Sequence, residues 1–239
     1  MKKILLLVLT LFFFSAVALA QMIESIDVKS EKDGCYETKT QGVMVTGFVL
    51  NGEKDGVWIE YYPNEMLRKM VQYKAGKIDG IAIEINKYGF VEQQAEYTNG
   101  VLNGRFVQWT QGGHTKLLEN YTMGVLDGER KTFYDRGKVQ EETTYKNGKR
   151  NGKTIWYRES GAIMAVYNYK DDLFEGVSES YYEDGNIKSS KTYKNNQLNG
   201  LCREYHSNGT IASETNYVNG KQKGATKNFS EDGKQIKKQ

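Results

Sequence analysis

Proline is almost missing from this 239-residue chain: Pro63 stands alone. Cysteine occurs twice, as Cys35 and Cys202, and histidine twice, as His114 and His206. Two cysteines cannot build a disulfide-dense scaffold, and two distant histidines offer no zinc-ligand spacing. Charge of one sign is missing too. Without Lys2 and Lys3 the basic count falls from 33 to 31, against 30 acidic residues. That balance excludes a dedicated nucleic-acid or acidic-lipid binder, which needs a basic excess. Long hydrophobic runs are absent after the first twenty residues, so no later stretch reads as a membrane span. What is present is 25 Gly and 17 Tyr. Such a chain cannot assemble a large aliphatic core, but it can form a thin sheet whose buried face is mostly tyrosine.

The opening MKKILLLVLTLFFFSAVALAQ has a basic start at Lys2 and Lys3, an apolar run from Leu5 to Phe14 broken only by Thr10, and a small-x-small site at Ala18-Leu19-Ala20. This is the pattern of a secretory signal peptide, so residues 1–20 are expected to be removed on export. No Cys follows Ala20, so no lipid anchor is indicated. The expected location is the periplasm, the outer envelope or the medium.

The rest of the chain is periodic. Glycine stands at Gly56, Gly80, Gly104, Gly128, Gly152, Gly176, Gly200 and Gly224, a period of 24 residues without insertion or deletion. Seventeen residues after each of the first seven comes a tyrosine: Tyr73, Tyr97, Tyr121, Tyr145, Tyr169, Tyr193 and Tyr217. A large side chain stands five residues after the glycine, from Tyr61 to Phe229. Glycine returns nine residues after it in every unit but one, which has Glu65. Twenty residues after it the column reads Gly76, Gly100, Gly124, Gly148, Asp172, Asn196 and Gly220. Asp and Asn are the residues that best replace Gly in a left-handed conformation, so this column predicts a tight turn with positive φ. Dipeptides such as Asp184-Gly185 and Asn208-Gly209 predict a second turn.

Each unit is therefore expected as strand, turn, strand, turn. Strand one should cover about one to seven residues after the repeat glycine, and strand two about ten to eighteen. Odd offsets carry the aromatic and aliphatic columns, and even offsets are mostly polar, so alternation predicts an aromatic ladder on one face. Trp58, Phe106 and Trp156 have even offsets. They are expected on the opposite face, where exposed aromatics would form a possible binding surface for a glycan or a peptide; partial burial by twist and neighbouring side chains is the favoured reading. A lone hairpin is marginal, so stability should come from stacking neighbours. The predicted organisation is a signal peptide at 1–20, a lead-in or cap at 21–47, and an all-β, elongated array of antiparallel hairpins at 48–239 ending in a basic tail.

One stretch imitates a phosphate-binding loop. Residues 146–154 read KNGKRNGKT, and Gly152-Lys153-Thr154 fit the end of that motif. The glycine it needs five residues before Gly152 is Asn147, however, and a strand rather than a helix follows. The stretch is one more copy of the turn.

The unit NGKRNGKTIWYRESGAIMAVYNYK resembles the MORN repeat, and most closely the bacterial variant of the YwqK-type antitoxin component. The glycine before strand one, the Tyr-x-x-x-Gly turn and the Tyr-x-x-Gly end carry the resemblance over about residues 48 to 235. It implies a fold of successive β-hairpins, a role in protein–protein contact and, for eukaryotic relatives, membrane or phospholipid association. It brings no catalytic residues and no cofactor. An antitoxin acting on a cytoplasmic toxin belongs in the cytoplasm, whereas this chain opens with an export signal. The reading is thus an exported non-enzymatic scaffold contacting an unknown protein. A module for envelope glycan or lipid headgroups is the second reading, and an antitoxin the third.

Residues that could carry chemistry are scattered. His114 and His206 lie more than three repeats apart and are read as solvated. Cys35 precedes the first unit and Cys202 begins the seventh, so they are expected to remain unbridged to each other. Acidic pairs such as Glu141-Glu142 and Asp171-Asp172 fit polar columns or turns. The sequons at Asn120, Asn208 and Asn228 fall where the repeat supplies Asn anyway.

Overall fold

The computed structural model describes residues 25–236, all in strands, turns and irregular segments. The expected signal peptide and the last three residues of the basic tail lie outside them. The strands are β1 (Gly34–Thr40), β2 (Val43–Leu50), β3 (Glu53–Tyr61), β4 (Leu67–Lys74), β5 (Lys77–Ile85), β6 (Val91–Thr98), β7 (Val101–Trp109) and β8 (Thr115–Thr122). They continue as β9 (Val125–Leu126), β10 (Gly128–Phe133), β11 (Val139–Lys146), β12 (Lys149–Tyr157), β13 (Ile163–Lys170), β14 (Leu173–Phe174) and β15 (Gly176–Tyr181). The last are β16 (Ile187–Lys194), β17 (Gln197–Tyr205), β18 (Ile211–Val218), β19 (Lys221–Phe229) and β20 (Gln235–Ile236).

The chain divides into two compact units. The first runs to His114 and includes Tyr121–Gly124, and the second holds Thr115–Asn120 and everything from Val125. In the first, each strand from β1 to β7 pairs antiparallel with the next. In the second, β8 pairs with β10, and the meander continues in order to β20. Strands begin at Gly34, inside the expected lead-in. β2 has the bounds of a second strand placed one period before β4.

Both turns have the predicted character. The short one holds two residues, and Lys74 pairs directly with Lys77 across Ala75 (φ 45°) and Gly76 (φ 71°). Positive φ at both central residues is the type I′ geometry that suits the twist of a hairpin. Asp172 and Asn196, which replace glycine, sit at φ 67° and 64°. The longer turn is held by paired backbone bonds such as Gly161 N–H to Arg158 O and Arg158 N–H to Ala162 O, each 2.8 Å. Glu65, the exception in that glycine column, adopts φ 66° all the same.

The repeat glycine is placed differently from the expectation. In β3, β5, β7, β12, β17 and β19 strand one begins three residues before it, so the glycine lies inside the strand; at Gly128 and Gly176 the short strands β9 and β14 precede it. Val71 pairs with Ala82 and Tyr73 with Ile78, so Asp79, Gly80 and Ile81 stand opposite Gln72 alone. This is a β-bulge, and Gly80 adopts φ 115° there.

The expected division of faces is also corrected. Trp58 pairs with Val71, Glu60 with Lys69 and Gly56 with Tyr73. Even offsets of strand one thus share a face with odd offsets of strand two. The cause is a register shift between Glu60 and Tyr61: Tyr61 pairs with Leu67 and leaves Arg68 over. One extra residue inverts the side every later residue faces. The same shift recurs in β5, β10, β12, β15 and β17.

Trp58 therefore lies on the tyrosine face, fully buried, with ring centroids 6.3 Å from Tyr73 and 5.2 Å from Tyr36. Its Nε1–H donates to Phe48 O at 3.1 Å. Its indole covers Gly47, where a Cβ would stand 2.3 Å from the ring. Trp58, Val71, Ala82, Ala95 and Phe106 form one buried row across five strands of the first unit, large residues separated by small ones. In the second unit that row contains Thr143 and Thr154, joined by a buried hydroxyl bond of 3.1 Å. Aromatic packing there gathers around Phe174, 4.7 Å from Tyr169, 5.1 Å from Tyr193 and 5.6 Å from Tyr167.

Candidate functional site

Three recurrent contacts hold the units in phase. The first covers the bulge. Gln72 Oε1 accepts the Ile81 N–H at 2.8 Å, and Glu96 Oε2 the Arg105 N–H at 2.9 Å. Asn120 and Thr192 donate to the carbonyls of Glu129 and Leu201 at 2.7 and 3.1 Å. Asn168 donates to Val177 O in the same way.

The second contact caps the short turn. The residue before the repeat glycine accepts the N–H of the first turn residue: Asp55 from Ala75, Asp79 from Asn99, Asn103 from Met123, Asp127 from Asn147, Glu175 from Asn195 and Asn199 from Asn219, at 2.9–3.2 Å. The second turn residue donates its N–H to the carbonyl two before the glycine, as from Gly148 to Leu126 at 2.8 Å. Within residues 146–154, Asn147 and Gly148 are thus the short turn, and Lys149 to Thr154 belong to β12. The recurrent Asp-Gly and Asn-Gly at the repeat glycine was the available signal for this cap.

The third contact runs along the longer turns. Tyr62, Tyr134 and Tyr182 each donate a hydroxyl to the carbonyl 23 residues on, at 2.7–3.0 Å. Arg158 fills the same place with its guanidinium, at 2.8 Å from Tyr181 O. His206 does so through Nε2, 2.9 Å from Phe229 O. The reading of His206 as solvated is corrected: its ring is part-buried and takes the tyrosine's role.

Trp58 and Phe106, considered as a possible binding surface, are 0% and 1% exposed, and Trp156 is half-buried. None of them forms an open aromatic platform. All eight repeat glycines have positive φ. Tyr73 and Tyr169 are buried, while Tyr97, Tyr121, Tyr145, Tyr193 and Tyr217 are half-buried. Burial pushes the phenol pKa up at Tyr145, Tyr169 and Tyr193.

Charged groups inside the sheet are paired. Arg130 occupies the column of Trp58 and Phe106. Its Nε lies 2.9 Å from Glu119 and its Nη1 3.5 Å from Glu141. Glu60, 1% exposed, is 2.7 Å from Arg68. Lys54 places its ammonium 5.3 Å from the Trp58 ring and 5.4 Å from the Tyr73 ring. Among the described residues no group of three or more His, Cys, Asp or Glu is arranged to hold a metal ion. Cys35 is exposed and Cys202 buried, both free thiols.

A model of the MORN repeat variant matches this chain at residues 54–75, 126–147, 174–195 and 198–219. Each match starts two residues before a repeat glycine and ends on the first residue of the short turn. The chain carries MORN-variant repeats. The units around Gly80, Gly104 and Gly152 carry the same columns and the same turns between these matches. No curated protein matches the chain. The MORN match describes a repeat, and it carries no toxin or other named partner.

The residue after the repeat glycine changes from unit to unit: it is Val57, Ile81, Arg105, Glu129, Lys153, Val177, Leu201 and Ala225, exposed in every unit but those of Ile81 and Leu201, where it is half-buried. Turn and bulge positions keep one geometry, and these positions differ in charge and size.

Proposed function

We propose that this protein is an exported, non-enzymatic repeat scaffold that contacts another protein at the cell envelope. One observation carries the reading: polar columns are spent on holding backbone geometry constant, while the column after the repeat glycine, exposed in six of its eight positions, varies in charge and size. That division suits presentation of a patterned surface, because a uniform array can display unlike residues at fixed spacing. The signal-peptide pattern of residues 1–20 supports export.

The glycan reading rested on Trp58 and Phe106 as exposed aromatics, and their burial removes that support. The antitoxin reading requires the chain to remain in the cytoplasm.

The test is the intact mass of the protein from the cytoplasmic and exported fractions of its host, with partners captured by crosslinking from the same fractions. The expected result is an exported species lacking residues 1–20 and crosslinked to one protein. A full-length cytoplasmic chain would overturn export. An exported chain that is retained on envelope polysaccharide and crosslinks to no protein would overturn the contact role.

A further inference from the structure

Each unit's first strand is normally met by the strand that follows it. Gly56, Gly80, Gly128, Gly152, Gly176 and Gly200 each pair with the tyrosine of the next strand. The carbonyl two residues before the glycine accepts a turn N–H, as at Lys54, Ile78 and Leu198, at 2.7–2.9 Å. β19 has the same form on its inner side. Lys221, Gln222, Lys223, Lys227 and Asn228 pair with β18, and Gly224 has φ 81°. Among the described residues its outer side meets only β20, at Asn228 and Phe229. Residues 221–227 are all exposed.

Three features distinguish this edge from its counterparts. Lys223 stands in the column where Asp55, Asp79 and Glu175 accept a turn N–H, and an ammonium cannot accept one. Lys221 and Lys227 extend the positive row, and Lys227 alone of the three has an ion pair among the described residues, 3.6 Å from Glu214. The Gln222 amide folds back, donating to Gly224 O at 3.0 Å and to Thr226 Oγ1 at 3.3 Å. A side chain thus supplies what a neighbouring strand supplies elsewhere. A second copy of the same edge would bring lysine against lysine, which opposes symmetric pairing.

We propose that the outer edge of β19 docks an acidic extended segment of another protein as an added antiparallel strand, with an aromatic side chain opposite Gly224. Backbone pairing supplies the general affinity of strand addition, and side chains set the choice of partner. Carboxylates of the segment meet Lys221 and Lys223. The aromatic takes the place that tyrosine holds at the other repeat glycines. Lysines on an open edge also hinder non-specific pairing, so a partner must bring negative charge to be accepted. This rests on the contact role proposed above and names the chemistry of the partner. It is tested with purified chain, so its failure is separable from a failure of export.

The probe is a labelled synthetic peptide, TAYEVET. With its tyrosine opposite Gly224, as Tyr97 stands opposite Gly80, antiparallel register sets its first glutamate opposite Lys223 and its second opposite Lys221. Fluorescence anisotropy against the purified chain is expected to show saturable binding. Lys221→Glu with Lys223→Glu should weaken it about tenfold or more, as should alanine in place of the peptide tyrosine. Both lysines are exposed, so the variant is expected to keep the parent circular dichroism. Absence of saturable binding, or binding indifferent to charge reversal, would overturn the proposal. So would self-association in sedimentation that charge reversal abolishes, because the edge would then belong to a second copy.

Discussion

The side-chain oxygen of Gln72 stands 2.1 Å from the point a Cβ on Gly80 would occupy, and the same oxygen accepts the Ile81 N–H at 2.8 Å. Glycine is needed at Gly80 for two reasons at once, a positive φ and a neighbour's side chain lying over it. Gly152 has a similar φ, 110° against 115°, but its nearest neighbour is Thr144 Cβ at 3.5 Å. Gly80→Ala is therefore expected to cost about 2–3 kcal/mol and Gly152→Ala about 1 kcal/mol in denaturant unfolding. Equal losses would show that only the backbone conformation matters.

Trp58 is the largest fully buried side chain of the first unit. Trp58→Ala should cost about 3–5 kcal/mol, because it empties the space over Gly47 and leaves Phe48 O without its donor. Trp156→Ala, at a half-buried position, should cost clearly less. Chemical denaturation of both variants decides it, and an unchanged midpoint for Trp58→Ala would refute the buried row.

Arg130 separates two carboxylates within the sheet. Its side chain is 14% exposed, and those of Glu119 and Glu141 are 10% and 15% exposed. Arg130→Ala leaves both acids without their cation and should cost about 3 kcal/mol. Adding Glu119→Leu should recover part of that loss. If the double variant is less stable than the single one, repulsion between the carboxylates is not the cause.

Tyr181 is held in its neutral form first by burial and then by its 2.7 Å hydrogen bond to Glu179, which together push its pKa up to about 12 from 10.0. The raised folded value means the contribution is fully present below pH 10 and is lost as pH rises toward about 12. Alkaline titration should show delayed tyrosinate absorbance at this site, and Glu179→Gln should bring its onset to lower pH. Coincident onsets in parent and variant would show that Glu179 plays no part.

The repeat period, the all-β class, the positions of both turns and their positive φ were legible in the sequence. Each follows from local backbone chemistry written into every unit by Gly, Asn and Asp. Two turn residues were not legible. Ala75 and Met123 adopt φ 45° and 49° although neither favours it, because Asp55 and Asn103 bind their N–H groups from twenty residues away. The face of each side chain was not legible either. A single leftover residue such as Arg68 inverts the alternation, and periodicity cannot register a shift that repeats in every unit. Only the tertiary structure decided that Trp58 and Phe106 are core and that Gln72 and Glu96 are bulge covers. It decided likewise that His206 stands in for a tyrosine. Those roles come from strand register and from neighbours 9 to 23 residues away.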